Sequence, residues 1–298
     1  MSIVTVARQP CPAGFSAAAA DYWALTKPDI NFLIAIVTFA GFELGLPAGL
    51  RGFPLRLLMD TLVGTVLVSS GASALNQFIE RSFDARMRRT ARRPLAAGKL
   101  EPGAALRFGI LLSVAGGIYL AVAVNVLASV LAVITLAGYL LLYTPLKRKT
   151  PWCMVVGAFP GAMPPLIGWA AASGAVSAEA WALYAILFLW QFPHFMAIAW
   201  MYRDDYARAG YLVLPRGENG ARFMSWQAVV PSLALIPVSL IAGAGPVYRV
   251  SALVTSAVYF YYSGRLALER SNLAAKRLLV VSIIYAPLAF CLVMFDKV

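Results

Sequence analysis

From Ala105 to Thr144 the chain reads ALRFGILLSVAGGIYLAVAVNVLASVLAVITLAGYLLLYT, and Arg107 is the one charge in it. A helix that crosses a bilayer needs about 20 mostly apolar residues. The stretch therefore holds two crossings, over 105–123 and 126–144, joined by a very tight turn at Asn125. Working outward, the same criterion gives spans near 30–48, 57–78, 152–172, 180–201, 226–243, 247–264 and 278–295. The expected fold is all-α: a polytopic membrane protein with about nine transmembrane helices in one bundle. Residues 23–298 form the membrane domain, behind a loose tail over 1–22 that lacks the basic start and compact apolar run of a cleaved signal.

Composition supports this. Of 298 residues, 61% are hydrophobic and 13% charged, where a soluble domain carries about 25% charged residues. Mean hydropathy is +0.75. A soluble fold could not cover so much apolar surface. The net charge of +12 would suggest a nucleic-acid partner in a soluble chain. Here the bases sit in short loops between apolar stretches, so the expected partner is the lipid bilayer and not nucleic acid. With nine spans, Arg51, Arg56, Arg249 and Lys297 fall on one side and the other 21 of the 25 bases on the opposite side. The positive-inside rule then puts the N-terminus in the cytoplasm of a cell whose inner membrane holds the chain. Cys11, Cys153 and Cys291 are far apart and form no CxxC pair, so they read as small apolar residues.

The longest polar stretches, 79–104 and 202–225, share the cytoplasmic side. The first begins at the end of the second span, Asn76-Gln77-Phe78-Ile79-Glu80-Arg81-Ser82-Phe83-Asp84. Asn76, Glu80 and Asp84 are four apart, so on a helix they share a face with a drift of about 40° per step. Oxygen ligands in such a stripe suit a hard cation such as Mg²⁺, which often keeps waters and substrate phosphates in its shell. Arg86, Arg88, Arg89, Arg92 and Arg93 follow. Lysine would serve topology equally well, but the guanidinium fork suits bidentate contact with phosphate. Acids beside arginines suggest a Mg²⁺–diphosphate site, the bland alternative being a positive-inside loop softened by acids.

Two later loops add to this. Tyr143-Thr144-Pro145-Leu146-Lys147-Arg148-Lys149 is topological on its own, and an anion clamp beside a diphosphate site. Arg203-Asp204-Asp205-Tyr206 ends the sixth span and puts a second acid pair on the same membrane face, 121 residues after Asp84. Metal ions bridging one diphosphate would use both acid clusters, and a solvated loop is the alternative. The one histidine, His194, follows Pro193 inside the sixth span. A buried histidine is commonly a helix–helix hydrogen bond, but it is also an axial ligand for haem iron. Its helix leads straight into the second acid cluster.

Taken together, the segments resemble the protoheme IX farnesyltransferase (heme O synthase) family of UbiA-type intramembrane prenyltransferases. The resemblance rests on Asn76-x3-Glu80-x3-Asp84-x2-Met87-x-Arg89-Thr90-x2-Arg93-Pro94-Leu95, Tyr143-Thr144 with Leu146-Lys147-Arg148, and Gly161-Ala162-x-Pro164-Pro165-x-Ile167-Gly168. Trp190-Gln191-x-Pro193-His194, Asp205-Tyr206 and Val213-Leu214-Pro215 complete it, and most of residues 23–220 is covered. Glu80 stands where the family commonly has aspartate, and Arg88 and Arg92 are extra bases. The resemblance implies farnesyl transfer from farnesyl diphosphate to a vinyl of heme B, with water addition, giving heme O. It implies Asn76, Glu80, Asp84 and Asp205 as catalytic, with Mg²⁺ on Glu80, Asp84, Asp204 and Asp205. Arg89, Arg93, Lys147 and Arg148 would bind diphosphate and His194 the heme. A heme A synthase or terminal oxidase is the partner expected to receive the product. Two rivals stay open: prenyl transfer to a phenolic acceptor such as 4-hydroxybenzoate, and a transporter, which would place polar residues near the bilayer midplane.

Overall fold

The computed structural model describes residues 15–47, 49–50, 52–242 and 245–295, and every regular element among them is helical. Residues 1–14 of the expected tail, with Arg8 and Cys11, lie outside the described residues, as do Arg51 and Lys297. Helix α1 is Phe15–Leu25, α2 Pro28–Gly45, α3 Leu55–Asp84 and α4 Pro102–Ala123. Helix α5 runs Val126–Leu146, with Gly138–Tyr143 wound as a π-helix. Then come α6 Cys153–Gly161, α7 Pro164–Ser173, α8 Ala178–Met201, α9 Arg203–Ala209, α10 Gly217–Ser239, α11 Pro246–Glu269 and α12 Asn272–Phe295.

The tight turn at Asn125 is a helix cap. Its Oδ1 accepts the Ala128 N–H at 2.8 Å, and its Nδ2 donates to the Ala170 carbonyl at 2.9 Å. One residue thus ends one crossing, starts the next and ties both to α7. The span expected over 152–172 is two end-to-end helices, α6 and α7, because Pro164 cannot continue the hydrogen-bond ladder. Among the described residues, seven rods are long and apolar enough to cross a membrane: α2, α3, α4, α5, α6–α7, α8 and α12. Helices α10 and α11 match them in length, at 23 and 24 residues. They are more polar: α10 begins with Glu218 and Arg222, and α11 carries Arg249, Arg265 and Glu269 besides several serines and tyrosines. They pack on each other, on α8 and on α12. Ser239 of α10, Ser256 of α11 and Tyr285 of α12 form a buried chain with links of 3.1 and 3.0 Å. Such interhelical hydrogen bonds hold membrane helices together where hydrophobicity gives little preference.

Two features position the site. Helices α2 and α7 meet backbone to backbone: a Cβ on Gly168 would stand 2.0 Å from the Thr38 carbonyl oxygen, and one on Gly41 2.1 Å from that of Pro165. Small residues allow this approach. Helix α3 has 30 residues, hence a length of about 45 Å, against a hydrocarbon core about 30 Å thick. One end must project, and the projecting end carries Asn76, Glu80 and Asp84.

Candidate active site

Asn76, Glu80 and Asp84 are 1%, 6% and 2% exposed, although they end a helix at the polar edge of the bundle. Each is buried against a base or another helix. Lys147, just past α5, donates to both Glu80 oxygens at 2.9 and 3.1 Å. Arg93 donates to Asp84 Oδ2 at 2.7 Å, and Thr90 donates to the Asp84 carbonyl, folding the 85–93 loop back over the helix end. Asn76 donates to Thr144 Oγ1 at 3.2 Å and accepts from Lys27 at 3.4 Å. The structure thus gathers residues from α3, the α5 end and the α1–α2 junction.

Asp205, 9% exposed, joins through the same loop: its Oδ2 accepts the Arg89 backbone N–H at 3.4 Å and its Oδ1 pairs with Arg208. Asp204 is exposed and turns away, onto the wall of a separate cavity. Arg89 and Arg148 are exposed, and neither guanidinium pairs with an acid among the described residues. Arg89 lies over the Tyr202 ring at 5.3 Å, and Arg148 over Phe83 at 5.0 Å. Of the expected phosphate binders, Arg93 and Lys147 are therefore inside the cluster, and Arg89 and Arg148 at its rim.

Lys27 was legible in the sequence only as a topological charge. It is held at φ 52° between α1 and α2, a conformation costly for a residue with a side chain. Burial, together with Arg93 and Lys147, pushes its ammonium down to about 7, against the opposing pull of Glu80 and Asp84. Lys147 is also buried, but Tyr143 and Glu80 hold it well above its ordinary value. The Tyr211 phenol is pushed far up by burial and then by Glu80.

An apolar cavity of about 350 Å³ abuts this cluster. Lys27, Tyr139 and Tyr143 form its polar end, with Ala132, Leu136 and Ile167 elsewhere on its wall. The π-helical turn puts Tyr139 and Tyr143 there together, ring centroids 5.5 Å apart. Lys147 sits 4.5 Å over the Tyr143 ring, so this ring separates the cavity from the Glu80–Lys147 pair. π-turns are frequent at such sites. Gly161 completes the wall, since a Cβ there would strike the Gln191 amide oxygen.

His194 faces elsewhere. Its Nδ1 is 2.7 Å from Ser282 Oγ of α12, and its ring stacks on Trp190 at 4.8 Å. Gln191 and Phe195, on an adjacent face of α8, line the cavity instead. Nε2 has no hydrogen-bond partner among the described residues.

The acids suit Mg²⁺ by chemistry: their donors are all oxygen, Glu80 and Asp84 are helical neighbours, and Asp84 Oδ1 holds no hydrogen bond among the described residues. No three His, Cys, Asp or Glu side chains among the described residues form a metal cage. The fit is therefore to an ion that completes its shell with water and phosphate oxygens.

A membrane bundle that ends an apolar cavity on buried bases and carboxylates defines a class: an integral membrane enzyme handling an apolar chain with an anionic head. Residues 15–290 match the UbiA prenyltransferase family. The chain belongs to that family and groups within it with the protoheme IX farnesyltransferases. It is 48% identical over 288 residues to the protoheme IX farnesyltransferase of Solibacter usitatus, covering 93% of this chain and 98% of that one. The fold is similar to a digeranylgeranylglyceryl phosphate synthase structure, with TM-score 0.72, 17% identity, and 93% and 98% of the two chains covered. It is also similar to a UbiA homolog from Archaeoglobus fulgidus bound to GPP and Mg²⁺, with TM-score 0.63, 15% identity, and 92% and 99% covered.

Proposed function

We propose that this chain transfers the farnesyl group of farnesyl diphosphate to a vinyl group of heme B, with addition of water, giving heme O and diphosphate. The observation that carries the reading is the apolar cavity ending on Lys27, which is hydrogen-bonded to Asn76, and on Tyr143, whose ring carries Lys147 of the Glu80–Lys147 pair. The 48% identity to a protoheme IX farnesyltransferase supports heme as the acceptor.

The barrier is scission of the bond between farnesyl C1 and oxygen, with negative charge growing on diphosphate and positive charge on the allyl group. The farnesyl chain lies in the cavity, and Tyr139 and Tyr143 flank C1 with π-faces that favour a cation. Lys147 and Arg93 turn from carboxylate to phosphate oxygens, joined by Lys27, and stabilise the leaving group through charge-assisted hydrogen bonds. With the bases so engaged, Glu80 and Asp84, with Asn76 and Asp205 in support, would hold Mg²⁺. When bound, the ion neutralises diphosphate charge. The terminal vinyl carbon attacks C1, the inner carbon takes hydroxyl from water, and a proton leaves. Arg89 and Arg148 draw the anion in from the rim. His194, fixed by Ser282 and absent from the cavity wall, is assigned to the heme through its open Nε2 alone.

In this reading residues 23–298 form one catalytic domain, and α1, which begins at Phe15 within the expected tail, packs onto it. All nine rods cross a cell inner membrane, with the N-terminus and the site on the cytoplasmic side. A heme A synthase or terminal oxidase receives the product. The test is mass spectrometry of hemes from membranes of a heme-O-deficient host expressing this chain. Heme O is expected, its formation in vitro requiring farnesyl diphosphate and Mg²⁺. A prenylated phenolic acid, or unchanged heme B, overturns the reading.

A further inference from the structure

A second cavity, of about 740 Å³, lies on the other side of the ionic cluster. Helices α8 and α9, the 210–216 loop and the start of α10 wall it. Tyr211 faces it and also stands beside Glu80, its ring 5.5 Å from Phe83. Leu212, also in the wall, donates its backbone N–H to the Lys147 carbonyl at 2.8 Å. The reacting cluster is therefore flanked by two chambers. One is apolar and reached past Tyr143, and the other is the more polar of the two and is reached past Tyr211.

Three features make the polar chamber attractive to anions. Arg203 and Arg216 are in its wall, against Asp204 as the one acid. Arg203 is fixed by hydrogen bonds from its Nη1 to the Trp200 carbonyl and to Asn272 Oδ1, at 2.8 and 2.9 Å, which leaves its other N–H groups uncommitted. Arg216 has no ion pair among the described residues. The 23-residue helix α10 opens into the chamber through Gly217 and Gly220, and no side chain caps its first amides. Such amides and the helix dipole favour negative charge. Trp200, another wall residue, keeps its indole N–H buried and away from the chamber, so the two guanidiniums and the helix start are the donors the chamber offers.

We propose that this chamber is the acceptor site, and that Arg203, Arg216 and the start of α10 bind the two propionate carboxylates of the porphyrin. The assignment rests on the reading of heme B as acceptor. Its logic is geometric. In protoheme the propionates hang from one edge of the macrocycle and the vinyls from the opposite one. Carboxylates anchored at the outer wall point the vinyl edge past Tyr211 toward Glu80 and Lys147, where C1 of the prenyl chain ends. The charged edge stays at the polar face of the bilayer and the macrocycle lies inward.

The test uses the full chain in nanodiscs and two probes, heme B and its dimethyl ester, titrated by absorbance. Arg216 is exposed and unpaired, so Arg216→Glu keeps the fold, which unchanged farnesyl diphosphate binding verifies. Arg216→Glu is expected to weaken heme B by about 10-fold or more, the scale of a lost charge-assisted pair. Arg216→Lys recovers part of the loss, and the dimethyl ester binds wild type and Arg216→Glu alike. Equal heme B affinity in wild type and Arg216→Glu, or an equal loss for diacid and diester, overturns the propionate assignment while leaving the heme reading intact. Failure of the wild-type protein to bind heme B at all overturns both.

Discussion

The pair formed by Glu80 and Lys147 gives the sharpest prediction. Both side chains are nearly enclosed, at 8% and 13% exposure, and the ammonium makes two short hydrogen bonds to one carboxylate. Removing one partner of such a pair leaves a buried charge uncompensated, at a cost of about 3–5 kcal/mol. Lys27 and Arg93 stand in the same cluster and partly re-pair with a freed Glu80, so the lower end applies. Lys147→Met and Glu80→Gln should each cost about 3 kcal/mol. The double variant leaves no orphaned charge and should also cost about 3 kcal/mol or less, well short of the sum, so the coupling is about 3 kcal/mol. The assay is reversible unfolding in mixed micelles of wild type, both single variants and the double. All three variants should lose heme O formation, the double included, which separates stability from chemistry. Additive single effects, agreeing with the double within about 0.5 kcal/mol, would refute the buried pair, and wild-type turnover in Lys147→Met would refute its role with diphosphate.

Asp84→Ala and Asp205→Ala should abolish heme O formation while the protein still inserts in the membrane, and wild-type turnover in either would reject the metal assignment. Lys27 gives a pH dependence of defined sign. Its folded value of about 7 lies below the ordinary 10.5, so between these limits the unfolded chain binds the extra proton and stability rises with pH. Lys27→Met should flatten that rise in unfolding curves taken across pH 7 to 10, and an unchanged slope would show that Lys27 is not buried as described. His194→Ala should weaken heme binding and alter the heme absorption spectrum while sparing farnesyl diphosphate affinity; an unaltered spectrum removes the ligand role. Gly168→Val, facing a Thr38 carbonyl only 2.0 Å from the position of a new Cβ, should destabilise the α2–α7 contact by about 1–3 kcal/mol, read as a lower melting temperature.

Residues that act through their neighbours in the chain were legible, and residues that act through the bundle were not. Asn125 could be read as a turn because an N-cap is a local event between two apolar runs. Glu80 and Asp84 could be read as one face because helical spacing puts them there. The partner of Glu80 is 67 residues away, and nothing near Lys147 distinguishes it from Arg148, which ends at the rim. Lys27 was hidden by the same cause: topology accounts for any base beside a span, so a base drawn inward looks like one left in the head-group layer. Pro160 and Pro164 do mark the break between α6 and α7, but an apolar run of membrane length outweighed them. His194 shows the deeper limit. Helix α8 is apolar all round, so its sequence carries no stripe from which its rotation can be deduced. Packing alone turns Gln191 and Phe195 to the cavity and His194 to Ser282. In a membrane bundle, sequence thus reports how far along the bilayer normal a side chain lies far better than which neighbour it faces. The acids and bases could be assigned to one end of the molecule, while their pairing, and the two chambers on either side of them, required coordinates.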